Sequence, residues 1–120
     1  MRHGLIPNLL AEGQTSRYNC RDAVWFWLYA IVKYIQKAPH GEQILRDKVL
    51  RLYPHDEAIY GIDQKEEELH ATMFDALSRH FNGISFRERN AGRQIDEHMN
   101  DDGSLFQFST ARNANRPRNL

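Results

Sequence analysis

The longest apolar run in the chain, Ala23 to Val32, constrains the fold more than any other feature, because its ten residues carry no charge. A membrane span needs about twenty such residues, so this run has to be covered by protein. Val24, Trp25, Leu28, Ile31, Val32 and Ile35 recur at helical spacing and predict one wide apolar face on a helix from Asp22 to Lys37. Trp27 and Tyr34 fall on its flank. Asp22 can accept from the open amides of the first turn, and Pro39 and Gly41 stop the helix. A helix this apolar belongs inside a helical assembly. The expected fold class is therefore all-α.

The rest of the chain is read in the same terms. Residues 4–16 predict an extended leading loop, in which Pro7 drives Ile6 out of the helical region. A second helix is expected from Glu42 to Leu52, with Ile44, Leu45, Val49 and Leu52 on one stripe and Pro54 at its end. Residues 54–62 read as a polar loop. Asp63 with Glu66 suggests a capping box ahead of a third helix from Lys65 to Phe81, whose inner face would carry Leu69, Met73, Ala76, Leu77, His80 and Phe81. Glu66, Glu67 and Glu68 would be its solvated first turn, and Gly83 would follow its end. Ile84 to Arg89 alternates as a short strand or extended loop does. One further helical turn is expected over 93–99. Residues 104–120 are polar and asparagine-rich and read as a divergent, disordered tail.

Sixteen basic and sixteen acidic residues cancel, which argues against a nucleic-acid or anionic-membrane partner. A neutral polysaccharide makes no such demand. Cys20 is the only cysteine, so no internal disulfide is possible and a reducing, cytoplasmic setting is expected. Packing, or a place in a site wall, is the reading preferred for it. The six histidines (3, 40, 55, 70, 80, 98) show no tight ligand spacing, and no metal is expected.

Residues 17–27, RYNCRDAVWFW, place an Arg21–Asp22 pair, polar neighbours and two indoles at the mouth of the first helix. Aspartate and arginine hydrogen-bond sugar hydroxyls, and indole faces stack on pyranose rings. With Gly4-Leu5-Ile6-Pro7-Asn8-Leu9-Leu10 ahead of it, the run resembles the glucosidase (C-terminal) domain of eukaryotic glycogen debranching enzymes. Pro39 to Leu45, Arg51 to Pro54 and Phe86 to Asp96 follow in that family's order. The resemblance covers residues 3 to about 103 and makes residues 1–103 a piece of that domain.

It implies a partial (α/α)6 toroid of about three helices with long loops. It also implies hydrolysis of α-1,6-linked glucose branch stubs, with 4-α-glucanotransferase activity in another domain and no cofactor. Glycogen or its limit dextrin would be the partner. Such hydrolysis takes two carboxyl groups, one acid and one base. The family's acid is expected in a Thr-Trp-Met-Asp motif and its base in a Gly-Pro-Glu-Trp motif, and neither string occurs. No catalytic residue is therefore assigned, and the chain alone is expected to be inactive. A noncatalytic glycogen-binding or interaction fragment, or a truncated gene product, stand as alternatives.

The candidate sugar-binding residues are Tyr18, Asn19, Arg21, Asp22, Trp27, Arg87, Glu88, Arg89 and Asn90. The resemblance gives Arg21 and Asp22 the hydroxyls of the terminal glucose. Against this, Asp22 could cap the helix while Arg21 pairs with Glu12. Trp25 reads as core, whereas Trp27 and Tyr18 are better placed for a sugar ring. Residues 87–90 form either a second sugar loop or a solvated surface ladder.

Overall fold

The computed structural model describes residues 1–11, 15–18, 20–88 and 104–108. Among these residues two α-helices, one 3₁₀ helix and three two-stranded antiparallel sheets alternate along the chain. The structure is therefore mixed α/β. The expected all-α class, with three helices of a partial toroid, is overturned.

The leading segment opens with Arg2 and Leu5 exchanging backbone hydrogen bonds at 2.9 and 2.8 Å. Gly4 makes that turn possible. Its φ is +78°, and a Cβ there would lie 2.5 Å from Cβ of Arg79. Strands β1 (Leu9–Ala11) and β2 (Thr15–Arg17) then pair, Leu9 opposite Arg17. The predicted leading loop is thus partly a hairpin.

The first helix is as the apolar spacing predicts. It forms α1 (Asp22–Lys37), with Val24 and Ile31 buried, and Leu28 and Ile35 half-buried. Ala38 is extended, as a residue before proline should be, and its amide still donates to Tyr34. Trp25 and Val32 depart from the expected inner face, at 47% and 44% exposed. Trp25 meets His80 on the neighbouring helix edge-to-face, with ring centroids 5.1 Å apart.

The second expected helix breaks up. His40 takes a left-handed φ of 53°, and Gly41 packs so closely that a Cβ would sit 2.5 Å from the carbonyl oxygen of Ile35. The chain doubles back onto α1 as a six-residue 3₁₀ helix, Gly41–Arg46. Residues Lys48–Arg51 are strand β3, paired with β4 (Lys65–Glu68).

The expected third helix therefore loses its first turn. Glu68 lies opposite Lys48, a favourable cross-strand pair, and Glu67 is drawn to Arg51. Ladder pairing and these charges outweigh the helix signal of three consecutive glutamates. No capping box forms, since Asp63 accepts from the amide of Ile59 at 2.7 Å instead. Helix α2 runs Leu69–Asn82, and the Leu69 amide donates to the carbonyl of Asp47. Gly83 ends it at φ +91°, in keeping with the expected glycine stop.

Strand β5 (Ile84–Glu88) matches the alternation, but its partner β6 (Ser104–Phe108) lies in the segment read as tail. Phe106 stacks on Phe86 at 5.6 Å, and Phe106 and Phe108 flank the cluster of Leu5, Tyr18, Ile84 and Phe86. Those apolar contacts order 104–108, and the polar composition around them masked the signal. The turn expected over 93–99 lies outside the described residues.

Apolar packing is sparse. Two stripes remain exposed at helical spacing, Trp25, Phe26 and Tyr29 on α1, and Phe74, Leu77 and Phe81 on α2. Leu77 and Phe81 were expected inside. Helix α2 does bury Leu69 and Ala76 as expected, together with Thr72.

Candidate functional site

The mouth of α1 carries the sequence-predicted pair. Arg21 occupies the N-cap position with helical φ and ψ, and no side-chain hydrogen bond caps the helix. Asp22 is the first helical residue and is exposed. Its carboxylate has no hydrogen-bond or ion-pair partner among the described residues. Arg21 is exposed as well, yet it is engaged by other groups, as Arg87 is. Glu12, the alternative partner for Arg21, lies outside the described residues.

The remaining candidates are placed unevenly. Tyr18 is 8% exposed and belongs to the core cluster, which leaves little of its ring for a sugar face. Trp27 is half-buried, whereas Trp25, read as core, is the more open indole. Arg87 is exposed on β5, one residue past the buried Phe86. The cluster of Tyr18 with Ile84 and Phe86 packs the loop before α1 against β5. Glu88 closes β5, and Asn19, Arg89 and Asn90 lie outside the described residues. Cys20 is half-buried in the same loop.

Beneath this surface runs a chain of charges that the sequence motifs did not reveal. Arg51, 8% exposed, donates to Glu67 and Asp75 at 3.0 Å each and to the carbonyl of Tyr53 at 3.2 Å. Thr72 donates to the same Glu67 oxygen at 2.8 Å. Arg79 approaches Asp75 at 3.6 Å and the two oxygens of Asp56 at 2.9 and 3.0 Å. His3 completes the line, its Nδ1 3.4 Å from Asp56. Arg2 lies over the Tyr53 ring at 4.4 Å. Strands β3 and β4, α2 and the 54–62 loop are thus joined through ion pairs, and the leading segment adjoins them through His3 beside Asp56 and Arg2 over Tyr53.

The protonation states follow from these contacts. Burial pushes the Asp56 carboxyl up, but the hydrogen bond and charge of Arg79, with His3 beside it, hold it below the usual carboxylate range. Glu67 behaves alike: burial raises it, and Thr72 and Arg51 more than offset that. Carboxyls held ionised by arginines suit a structural frame and not a proton donor near neutrality. Among the described residues no group of acidic, histidine or cysteine side chains could hold a metal ion. No helix among them is long and apolar enough to cross a membrane.

A family model described as amylo-alpha-1,6-glucosidase matches residues 1–115 of the chain. The chain belongs to the amylo-alpha-1,6-glucosidase family. Its match to the family model runs through β6 and past residue 103, where the resemblance was read to stop. The glycogen debranching enzyme of Saccharomyces cerevisiae is 44% identical over 108 residues, covering 86% of this chain. The chain spans 7% of the length of that relative.

Sequence reasoning missed His3, Arg51, Asp56, Glu67, Asp75 and Arg79 as a unit. One signal was available: Arg51 opens the Arg-Leu-Tyr-Pro motif, and an arginine within a predicted apolar helix needs a partner. Which carboxylates answer it depends on contacts between residues as distant as 51 and 75, and no spacing rule reaches that far.

Proposed function

We propose that this chain supplies glucose-binding surface for hydrolysis of the α-1,6-linked glucose branch stubs of glycogen, in the manner of a debranching glucosidase. Asp22 accepts from hydroxyls of the terminal glucose, Arg21 donates to hydroxyls beside it, and residues 87–90 supply a second set of sugar contacts. The substrate is glycogen or its limit dextrin, and the setting is cytoplasmic. The 4-α-glucanotransferase activity of such an enzyme resides in another domain.

The observation that carries this reading is the exposed Asp22 carboxylate, without a partner among the described residues, at a helix mouth. A capping aspartate would stand at the N-cap position, but Arg21 holds that place and Asp22 is the first helical residue, which favours the sugar role. Cleavage needs a second positioned carboxyl. Asp56 and Glu67 are committed to arginines. On this reading the chain alone binds without cleaving, since the family's acid and base motifs do not occur in it.

The test is calorimetric titration with a trisaccharide ending in an α-1,6-linked glucose. Asp22→Ala removes a charge-assisted contact of about 1.5–3 kcal/mol, which weakens binding roughly tenfold to a hundredfold. The melting temperature should hold. Unchanged binding together with a stability loss of about 1 kcal/mol would return Asp22 to the role of a helix cap.

A further inference from the structure

His3 is a buried titratable group that neither the helix pattern nor the motifs put to use. Its side chain is 10% exposed, and its backbone is left-handed at φ 56°. Histidine tolerates that region better than most residues. The ring stacks on Phe86 of β5, with centroids 4.3 Å apart and planes 15° from parallel. It meets Tyr18 edge-on at 6.5 Å. Its Nδ1 faces Asp56 with no hydrogen bond made, and Asp56 is fixed by Arg79 of α2. One imidazole thus touches the loop before α1, strand β5 and the anchored 54–62 loop.

We propose that His3 is a positioning residue for the glucose-binding segment: its ring holds Tyr18, and with it the loop before α1, against β5, beside the Asp56 carboxylate that Arg79 anchors. This rests on the reading of Arg21 and Asp22 given above. The charged and titratable groups facing the ring are Asp56 from the 54–62 loop, Arg79 from α2 and Arg2 on its own segment, with the Tyr18 phenol; β5 presents the Phe86 ring. Burial lowers the His3 pKa. Asp56 opposes that shift and the two arginines reinforce it, so the net direction is down. The positioning form is the neutral ring. Protonation draws Nδ1 toward Asp56 and sets a cation near Arg2 and Arg79, which disturbs the contact with Tyr18.

The experiment is nuclear magnetic resonance on the full 120-residue chain, following the His3 and Tyr18 rings from about pH 8 to about pH 5. It is run with and without the same trisaccharide. The Tyr18 signals should move with the His3 midpoint, which lies below the ordinary histidine value, and trisaccharide affinity should fall severalfold across it. His3→Gln, a planar polar side chain that does not titrate, should flatten both responses. If that variant fails to fold, the shared midpoint in the unaltered chain still decides. Tyr18 signals and affinity that stay flat while His3 titrates would overturn the proposal. A Tyr18 ring that follows His3 in a chain binding no trisaccharide at any pH would instead sink the Asp22 reading, and with it the claim that the positioned site is a sugar site.

Discussion

Arg51 is the residue on which the charge frame turns, because two carboxylates and a carbonyl meet its guanidinium. Replacing it by methionine leaves Glu67 and Asp75 facing each other's charge with that cation gone. Breaking a buried pair costs about 3–5 kcal/mol, and Asp75 is still 31% exposed, so the low end applies. Urea unfolding of Arg51→Met should show a loss of about 3 kcal/mol; a loss under about 1 kcal/mol would mean the pairs are ornamental. The same frame sets the pH response. The folded pKa of His3 is lowered, so its contribution is complete above the ordinary value near 6.5 and is lost as pH falls from there through the folded value. Asp56 and Glu67 are also lowered, so theirs is complete above about 4.5 and is lost at more acidic pH. Denaturation followed against pH should show separate declines for the histidine and for these carboxylates, with the lowered Met1 amine adding to the loss above the histidine range. His3→Gln should remove the histidine contribution and leave the carboxylate decline in place.

At the level of elements, β6 is the least expected part and the most easily tested. Its hold on β5 is the Phe106 ring against Phe86 and the ladder from Ile84 to Glu88. Phe106 is half-buried, so truncation to alanine should cost about 2 kcal/mol, below the range for a full core phenylalanine. Amide exchange should speed up along Ile84–Glu88 and leave α1 protected; uniform loss of protection would place β6 in one cooperative unit with the helices. What the sequence made legible divides along the same line. Helix α1 and strand β5 are set by local periodicity and by Pro39 and Gly83, so their pattern sufficed. Residues 42–52 and 65–68 carry helix-like patterns, but Lys48, Arg51, Glu67 and Glu68 find partners across a ladder. Local propensity loses to such tertiary pairing. In the site, Arg21 and Asp22 were legible as a motif. His3 and Asp56 were not, because 53 positions of chain separate them.

For the whole molecule, the balance between its frame and its surface matters most. A line of ion pairs joins four segments, while apolar stripes on α1 and α2 face solvent. Exposed apolar patches of this kind bind hydrophobic dyes and promote association. The chain should enhance dye fluorescence in its folded state, and Phe74→Gln with Phe81→Gln should reduce that signal while leaving the unfolding midpoint nearly unchanged. A monomer with no dye response would show that these stripes are covered in solution. The central claim is that Asp22 recognises glucose and does not hold the fold. It is tested most directly by measuring glucose release from limit dextrin and melting temperature on one preparation of a full-length debranching enzyme that carries this segment with Asp22→Ala. The account predicts release reduced roughly tenfold to a hundredfold, from a lost contact of about 1.5–3 kcal/mol, with melting unchanged. Unreduced release with a lowered melting temperature would contradict it.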